Sequence, residues 1–169
     1  MPTALQQQSP PSLTPGQVIA KYQASAPVDV IGIAKELGVN VWAMHTMPPN
    51  ISGKIFRDSL NGGVSGFSIA VNASDSPLRQ RFTIAHEIAH FILHRAKLEA
   101  GDVVDDTMYR SGLSTGDEVA ANRLAAQILM PMNLIQALIN QGVTDVQSLA
   151  ARFQVSLPAM KIRLGIPVT

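Results

Sequence analysis

Two histidines and a glutamate stand in the order His86-Glu87-Ile88-Ala89-His90. On a helix, residues four apart share a face and lie about 6 Å from one another, so both imidazoles can reach one zinc ion. Glu87 then stands beside the ion's open coordination position, where a carboxylate can take a proton from water. The pattern is short, and its surroundings give it weight. Phe82, Ile84, Ala85, Ile88, Ala89, Phe91, Ile92 and Leu93 are apolar, so the helix is expected to be buried nearly all round. Histidines and a glutamate buried without partners are costly, and a shared metal ion relieves that cost. The bland alternative is a core helix whose polar groups satisfy one another or the backbone.

Catalytic zinc commonly takes three protein ligands and a water. The chain has no cysteine, so the third ligand has to be a histidine or a carboxylate. His94 repeats the four-residue step, but eight residues from His86 is about 12 Å along the axis, too far to share one ion. It is expected behind a ligand or on the surface near the helix end. The longer pattern H-E-x-x-H-x-x-G-x-x-H fails, with Leu93 in place of glycine and Ala96 in place of histidine. A carboxylate from a later helix remains, and Glu118 is the choice. In Glu118-Val119-Ala120-Ala121-Asn122 the asparagine follows one turn later, where it can orient a histidine through its second nitrogen. Two alternatives stay open: Glu118 follows Thr115 by three and can close a helix cap, and Asp117 is the nearest rival ligand. Glu99, Asp102, Asp105 and Asp106 are loop acids with nothing to fix them. Tyr109 and Arg110, lying between the two motifs, are candidate donors to an oxyanion, or else an ordinary loop tyrosine and a solvated arginine.

The elements that position these groups are read from caps and breakers. Residues 1–13, rich in Gln, Pro and Ser, are expected to be a disordered lead, with a single domain over 14–169. Thr14 caps a helix to about Ala24, and Asp29 caps a second that ends at Leu37 with Gly38 as its left-handed stop. Val39 to Ala43, Ile51 to Arg57 and Phe67 to Asn72 read as strands, the last two joined by a turn around Asn61-Gly62-Gly63. Ser74 to Pro77 opens the histidine helix, which runs to about Arg95; Lys97 to Gly116 reads as mostly loop. Helices follow over about Asp117 to Met130, Leu134 to Asn140, Thr144 to Phe153 with a Thr144/Gln147 capping box, and Leu157 to Leu164. The fold class is α+β: a small three-stranded sheet packed beside a buried metal-binding helix, with helical N- and C-terminal parts. The strand around Ile69-Ala70-Val71-Asn72 is either an edge that can pair with an extended substrate or a strand buried between neighbours.

Composition bounds the partners. Of 169 residues, 46% are hydrophobic and 15% charged, the balance of a folded protein, and the net charge of +1 does not advertise nucleic acid or membrane. The first thirteen residues lack the basic and apolar regions of a secretory signal, and charges interrupt every apolar stretch, so a cytoplasmic location is expected. Leu149 to Ser156, followed by Ala159 and Arg163, resembles the turn of a helix-turn-helix over residues 143–166. Its second helix offers Lys161 and Arg163 but few residues that read bases, so packing of this pair on the core is the better reading and direct nucleic-acid binding is not expected.

The run Arg79 to His94 resembles the signature helix of the ImmA/IrrE metallopeptidases. Glu118 to Pro131 resembles that family's second block, E-x-x-A-N-x-F-A-A-x-L-L-M-P, departing at Leu124, where phenylalanine is usual. Ser52-Gly53-Lys54-Ile55 and Val71-Asn72-Ala73-Ser74 are similar to the strands that precede the metal helix there. The resemblance extends over about residues 15–166. It implies a zinc-dependent endopeptidase with a thermolysin-like core, in which His86, His90 and Glu118 hold the metal and Glu87 is the general base. It also implies a substrate: a helix-turn-helix transcriptional repressor, cleaved so that phage, mobile-element or stress genes are released. A non-catalytic zinc protein that grips such a regulator, and a DNA-binding module, are the alternatives.

Overall fold

The computed structural model describes residues 12–100 and 113–168. Helix α1 (Pro15–Tyr22) starts at a reciprocal cap, in which the Thr14 hydroxyl accepts from the Gln17 N–H and the Gln17 side chain accepts from the Thr14 N–H. Helix α2 (Val30–Glu36) starts at Asp29, whose carboxylate accepts from the Gly32 N–H. It stops where Gly38 takes a φ of 78°, a left-handed conformation in which a β-carbon is costly.

Strands β1 (Val39–Met44), β2 (Gly53–Arg57) and β3 (Phe67–Asn72) form one sheet in the order β1-β3-β2. β1 runs parallel to β3, with Val41 opposite Ile69, and β2 runs antiparallel, with Ile55 opposite the same residue. β3 is buried along its whole length, as a central strand covered on both faces must be. Side chains also stitch the three strands together. The Trp42 indole N–H donates to the Ser68 hydroxyl, and that hydroxyl donates to Asp58 just beyond β2. Asp58 further accepts the N–H groups of Leu60 and Asn61, shaping the turn into β3.

Of the two readings of Ile69 to Asn72, the strand buried between neighbours is the one found, and the substrate-facing edge is not. Both backbone rows of β3 are spent on its neighbours, so none is left for a further chain. Among the described residues β2 pairs with β3 alone, and it is β2 that borders the cleft described below.

Helix α3 (Pro77–Leu93) has Ser76 as its cap and proline at its first position. It ends two residues earlier than expected because His94 leaves the helical region at φ −124°, after which a short α4 (Arg95–Glu99) begins. Helix α5 (Thr115–Leu129) is capped by Ser114, not Thr115, and its reciprocal partner is Asp117. Helices α6 (Met132–Asn140), α7 (Val146–Phe153) and α8 (Leu157–Arg163) complete the chain. The expected Thr144/Gln147 box is replaced by Asp145, which accepts from the Ser148 N–H at 2.7 Å. Leu149, Phe153 and Met160 lie in the same apolar cluster as Ile33, Ile69, Ile88 and Ile128, so the C-terminal pair is part of the core. Arg163 donates to the Met130 carbonyl and is turned toward the protein.

Gly53 fixes how closely β2 approaches the histidine helix. A β-carbon there would collide with the Thr83 methyl of α3 and lie 2.7 Å from the Ala70 carbonyl oxygen. Gly53→Ala should cost about 1–3 kcal/mol, read as a lowered urea midpoint. Asp58 generates a prediction of a different kind. The Asn61 N–H and the Ser68 hydroxyl hold its carboxyl below the usual range. A lowered folded-state pKa contributes stability that is present above the unfolded value, about 3.9, and is lost as pH falls through the folded one. Asp58→Asn should thus be less stable than wild type at neutral pH, with the two unfolding midpoints converging in acid.

Candidate metal centre

Helix α3 runs between the sheet and α5, and its packing decides where its polar groups point. Ile84, Ala85, Ile88 and Phe91 face the core, while His86 and Glu87 look into an open cleft of roughly 2020 Å³. Loop 44–52 and β2 form one wall of the cleft, and α5 together with the start of α8 forms the other. Arg81 sets the position of the helix. Its guanidinium donates to the carbonyls of Val28, Phe153 and Gln154, tying α3 to the segment before α2 and to the turn between α7 and α8.

Three side chains converge at the cleft floor. His90 Nε2 lies 2.9 Å from His86 Nε2, His86 Nε2 lies 3.2 Å from Glu118 Oε2, and His90 Nε2 lies 3.3 Å from Glu118 Oε1. Ligand atoms bound at about 2.0–2.1 Å in a tetrahedral shell sit about 3.3 Å apart, so these donors already have near-ligand spacing. Two imidazole nitrogens and a carboxylate form a donor set suited to a divalent ion. His90 is 0% exposed and Glu87 is 1% exposed, whereas the Glu118 side chain is 40% exposed. The centre is therefore sealed on its α3 side and open toward the cleft.

The surroundings of the two histidines differ. The Phe82 ring stacks on His86 at a centroid distance of 6.4 Å, but His86 Nδ1 is buried without a hydrogen-bond partner among the described residues. His90 Nδ1 meets His94 Nδ1 at 3.0 Å. His94 Nε2 in turn lies 3.1 Å from Asp117 Oδ1, and the Lys97 ammonium holds the other oxygen of Asp117 at 2.6 Å. Lys97 and the Ser114 N–H keep the Asp117 carboxyl well below the usual carboxylate range.

Of the residues singled out in the sequence, His86, His90 and Glu118 come together, and Glu87 sits beside them in the cleft. His94 stands outside the cluster, behind His90. The histidine-orienting role given to Asn122 is not made here: its side chain is exposed in the cleft, and the contact with the second nitrogen of His90 comes from His94. The reason is that His94 shares a helix face with His90 one turn on, at closer reach than a residue of another helix. Glu118 faces the histidines, and Asp117 proves to be the reciprocal partner of the Ser114 cap and the neighbour of His94. Its signal was legible as Ser114 three residues before an acid. Tyr109 and Arg110 lie outside the described residues.

A mixed three-stranded sheet, a helix bearing H-E-x-x-H beside it, and a carboxylate from the next long helix bring together three groups that could hold a metal ion. The chain belongs to the family described as Peptidase_M78, IrrE N-terminal-like domain, which matches residues 34–165. A comparison with curated proteins found no match. Among solved structures, a Mycobacterium tuberculosis transcriptional regulator is similar, with a TM-score of 0.57 and 18% identity over 90% of this chain and 46% of the other. This chain thus spans less than half the length of that protein, and at such identity the likeness concerns the fold. Among the described residues, no helix is long and apolar enough to cross a membrane.

Arg81→Met should lower stability by about 2 kcal/mol, because it removes charged hydrogen bonds and strands backbone carbonyls. A urea titration of the variant checks this.

Proposed function

We propose that the protein is a zinc-dependent endopeptidase of the cytoplasm, whose substrate is a helix-turn-helix transcriptional repressor. Cleavage of the repressor would release phage, mobile-element or stress genes. The observation that carries this reading is the placement of Glu87 and three converging donor atoms on the floor of a cleft far larger than a small-molecule pocket. Membership of a peptidase family supports the same reading.

His86, His90 and Glu118 are the residues that would hold zinc, which supplies Lewis acidity to a water and to a substrate carbonyl. Glu87 is the general base: its carboxylate accepts a proton from the attacking water and returns it to the leaving amine. Its position directly after a histidine of the cluster and in the lining of the cleft supports this role. Among the described residues the β2 backbone pairs with β3 alone and borders the same wall, and an extended substrate segment would add along it as a further strand. The C-terminal pair acts as the opposite wall and not as a DNA reader, a role consistent with Arg163 being bound to the Met130 carbonyl.

The test is intact mass spectrometry of a helix-turn-helix regulator encoded beside this gene, after incubation with zinc-loaded protein. Wild type should yield two fragments, and a chelator should abolish them. Glu87→Gln should keep zinc and lose about 10²–10⁴-fold in cleavage rate. A regulator that remains whole yet co-purifies with both forms would replace the peptidase by a metal-containing binding protein.

A further inference from the structure

His90 is wholly buried, and its two ring nitrogens have separate surroundings. Nε2 faces His86 and Glu118, while Nδ1 meets His94. The row then continues from His94 Nε2 to Asp117 Oδ1, and the second Asp117 oxygen accepts from Lys97 and from the Ser114 N–H at 2.7 Å. This row has a direction. An ionised carboxylate can only accept, so the His94 nitrogen that faces it carries the proton. A neutral imidazole has one such proton, which makes His94 Nδ1 an acceptor. The hydrogen in the 3.0 Å contact between the two rings then belongs to His90 Nδ1. His90 Nε2 is left with a lone pair, aimed at His86 and Glu118.

We propose that His94 and Asp117 are positioning residues of the metal centre: they lock the tautomer and ring plane of His90 and couple them to the helix end that delivers Glu118. The coupling lies in Asp117 itself. Its carboxylate closes the cap of α5 with Ser114, one residue before Glu118, while its other oxygen faces His94 of the histidine helix. Lys97 of α4 holds that carboxylate from a third side. His86 is held differently: its Nδ1 has no hydrogen-bond partner among the described residues, while its Nε2 faces Glu118 and the His90 lone pair and so carries the proton. The inference rests on the reading of His86, His90 and Glu118 as metal ligands, and it assigns a function to two residues that are not ligands.

Two measurements test it. Ring ¹⁵N NMR of the metal-free protein reads tautomers, and competition with a chromophoric chelator reads zinc affinity. In wild type His90 should be in the Nδ1–H form, with His94 and His86 in the Nε2–H form. In His94→Phe and in Asp117→Asn, His90 should lose its single tautomer, and zinc affinity should fall about 10–100-fold. Ser114→Ala removes the capping hydroxyl but keeps the backbone N–H that binds Asp117. It should lower thermal stability and leave both the tautomer and the affinity unchanged.

An Nε2–H form of His90 in wild type would overturn the proposal. So would unchanged tautomer and affinity in folded Asp117→Asn, or an affinity loss in Ser114→Ala equal to that in Asp117→Asn, which would reduce Asp117 to a helix cap. Should His94→Phe fail to fold, the wild-type spectrum and Asp117→Asn still decide. Wild type that takes up no zinc would sink the metal reading on its own, while the tautomers would still judge the relay.

Discussion

The rest of the structure depends on one constraint: α3 buries His90 and Glu87 among apolar side chains and must find them partners. A buried polar group left unsatisfied costs about 1–3 kcal/mol, and a buried charge costs more. An isolated helix of this composition has no means of meeting that cost. The fold meets it by bringing the N-terminal turn of α5 against the C-terminal half of α3. There Glu118 faces the Nε2 atoms and Asp117 faces His94. The polar centre is in this sense the joint between the two longest helices, and the apolar packing of Ile84, Ile88, Ala125 and Ile128 closes around it.

What fixes the joint is largely local chemistry. Ser114 and Asp117 set where α5 begins, and that start determines which face Glu118 presents. Ser76 and Pro77 do the same for α3, and Arg81 then pins the helix by its guanidinium to carbonyls far away in the chain. A shift of one residue in either helix start would rotate its functional groups by about 100° and break the convergence. Gly53 acts on the remaining wall, where the absence of a side chain lets β2 lie directly on Thr83, one turn ahead of Glu87.

These features were unequally legible in the sequence. Caps and stops at Thr14, Asp29, Gly38, Ser76 and Pro131 are signals within a few residues, and the elements they bound appear in nearly the expected places. The α+β class and the approach of Glu118 to the histidines followed from periodicity, spacing and the resemblance of two motif blocks. Strand order was not legible: β1 and β3 pair in parallel across an intervening hairpin, and nothing local distinguishes a central apolar strand from an edge. Competing caps were also undecidable from spacing. Ser114 against Thr115 and Asp145 against Thr144 differ by one residue each, and tertiary contacts chose between them. The role given to Asn122 rested on its spacing from Glu118, and the contact with His90 Nδ1 comes instead from His94 on the histidine helix itself.

The three donor atoms are not equally prepared. His90 is sealed and held from behind, and His86 is half-shielded with its ring plane set by Phe82. Glu118 is the most exposed of the three and opens to the cleft. Ordering a side chain on binding costs free energy, and a ligand that is already held contributes none of that cost. The buried histidine is therefore the most constrained of the three donors. The carboxylate supplies charge from the solvent side, where it can adjust to what the cleft contains. The side of the centre that faces the helix is closed, and the side that faces the cleft is open.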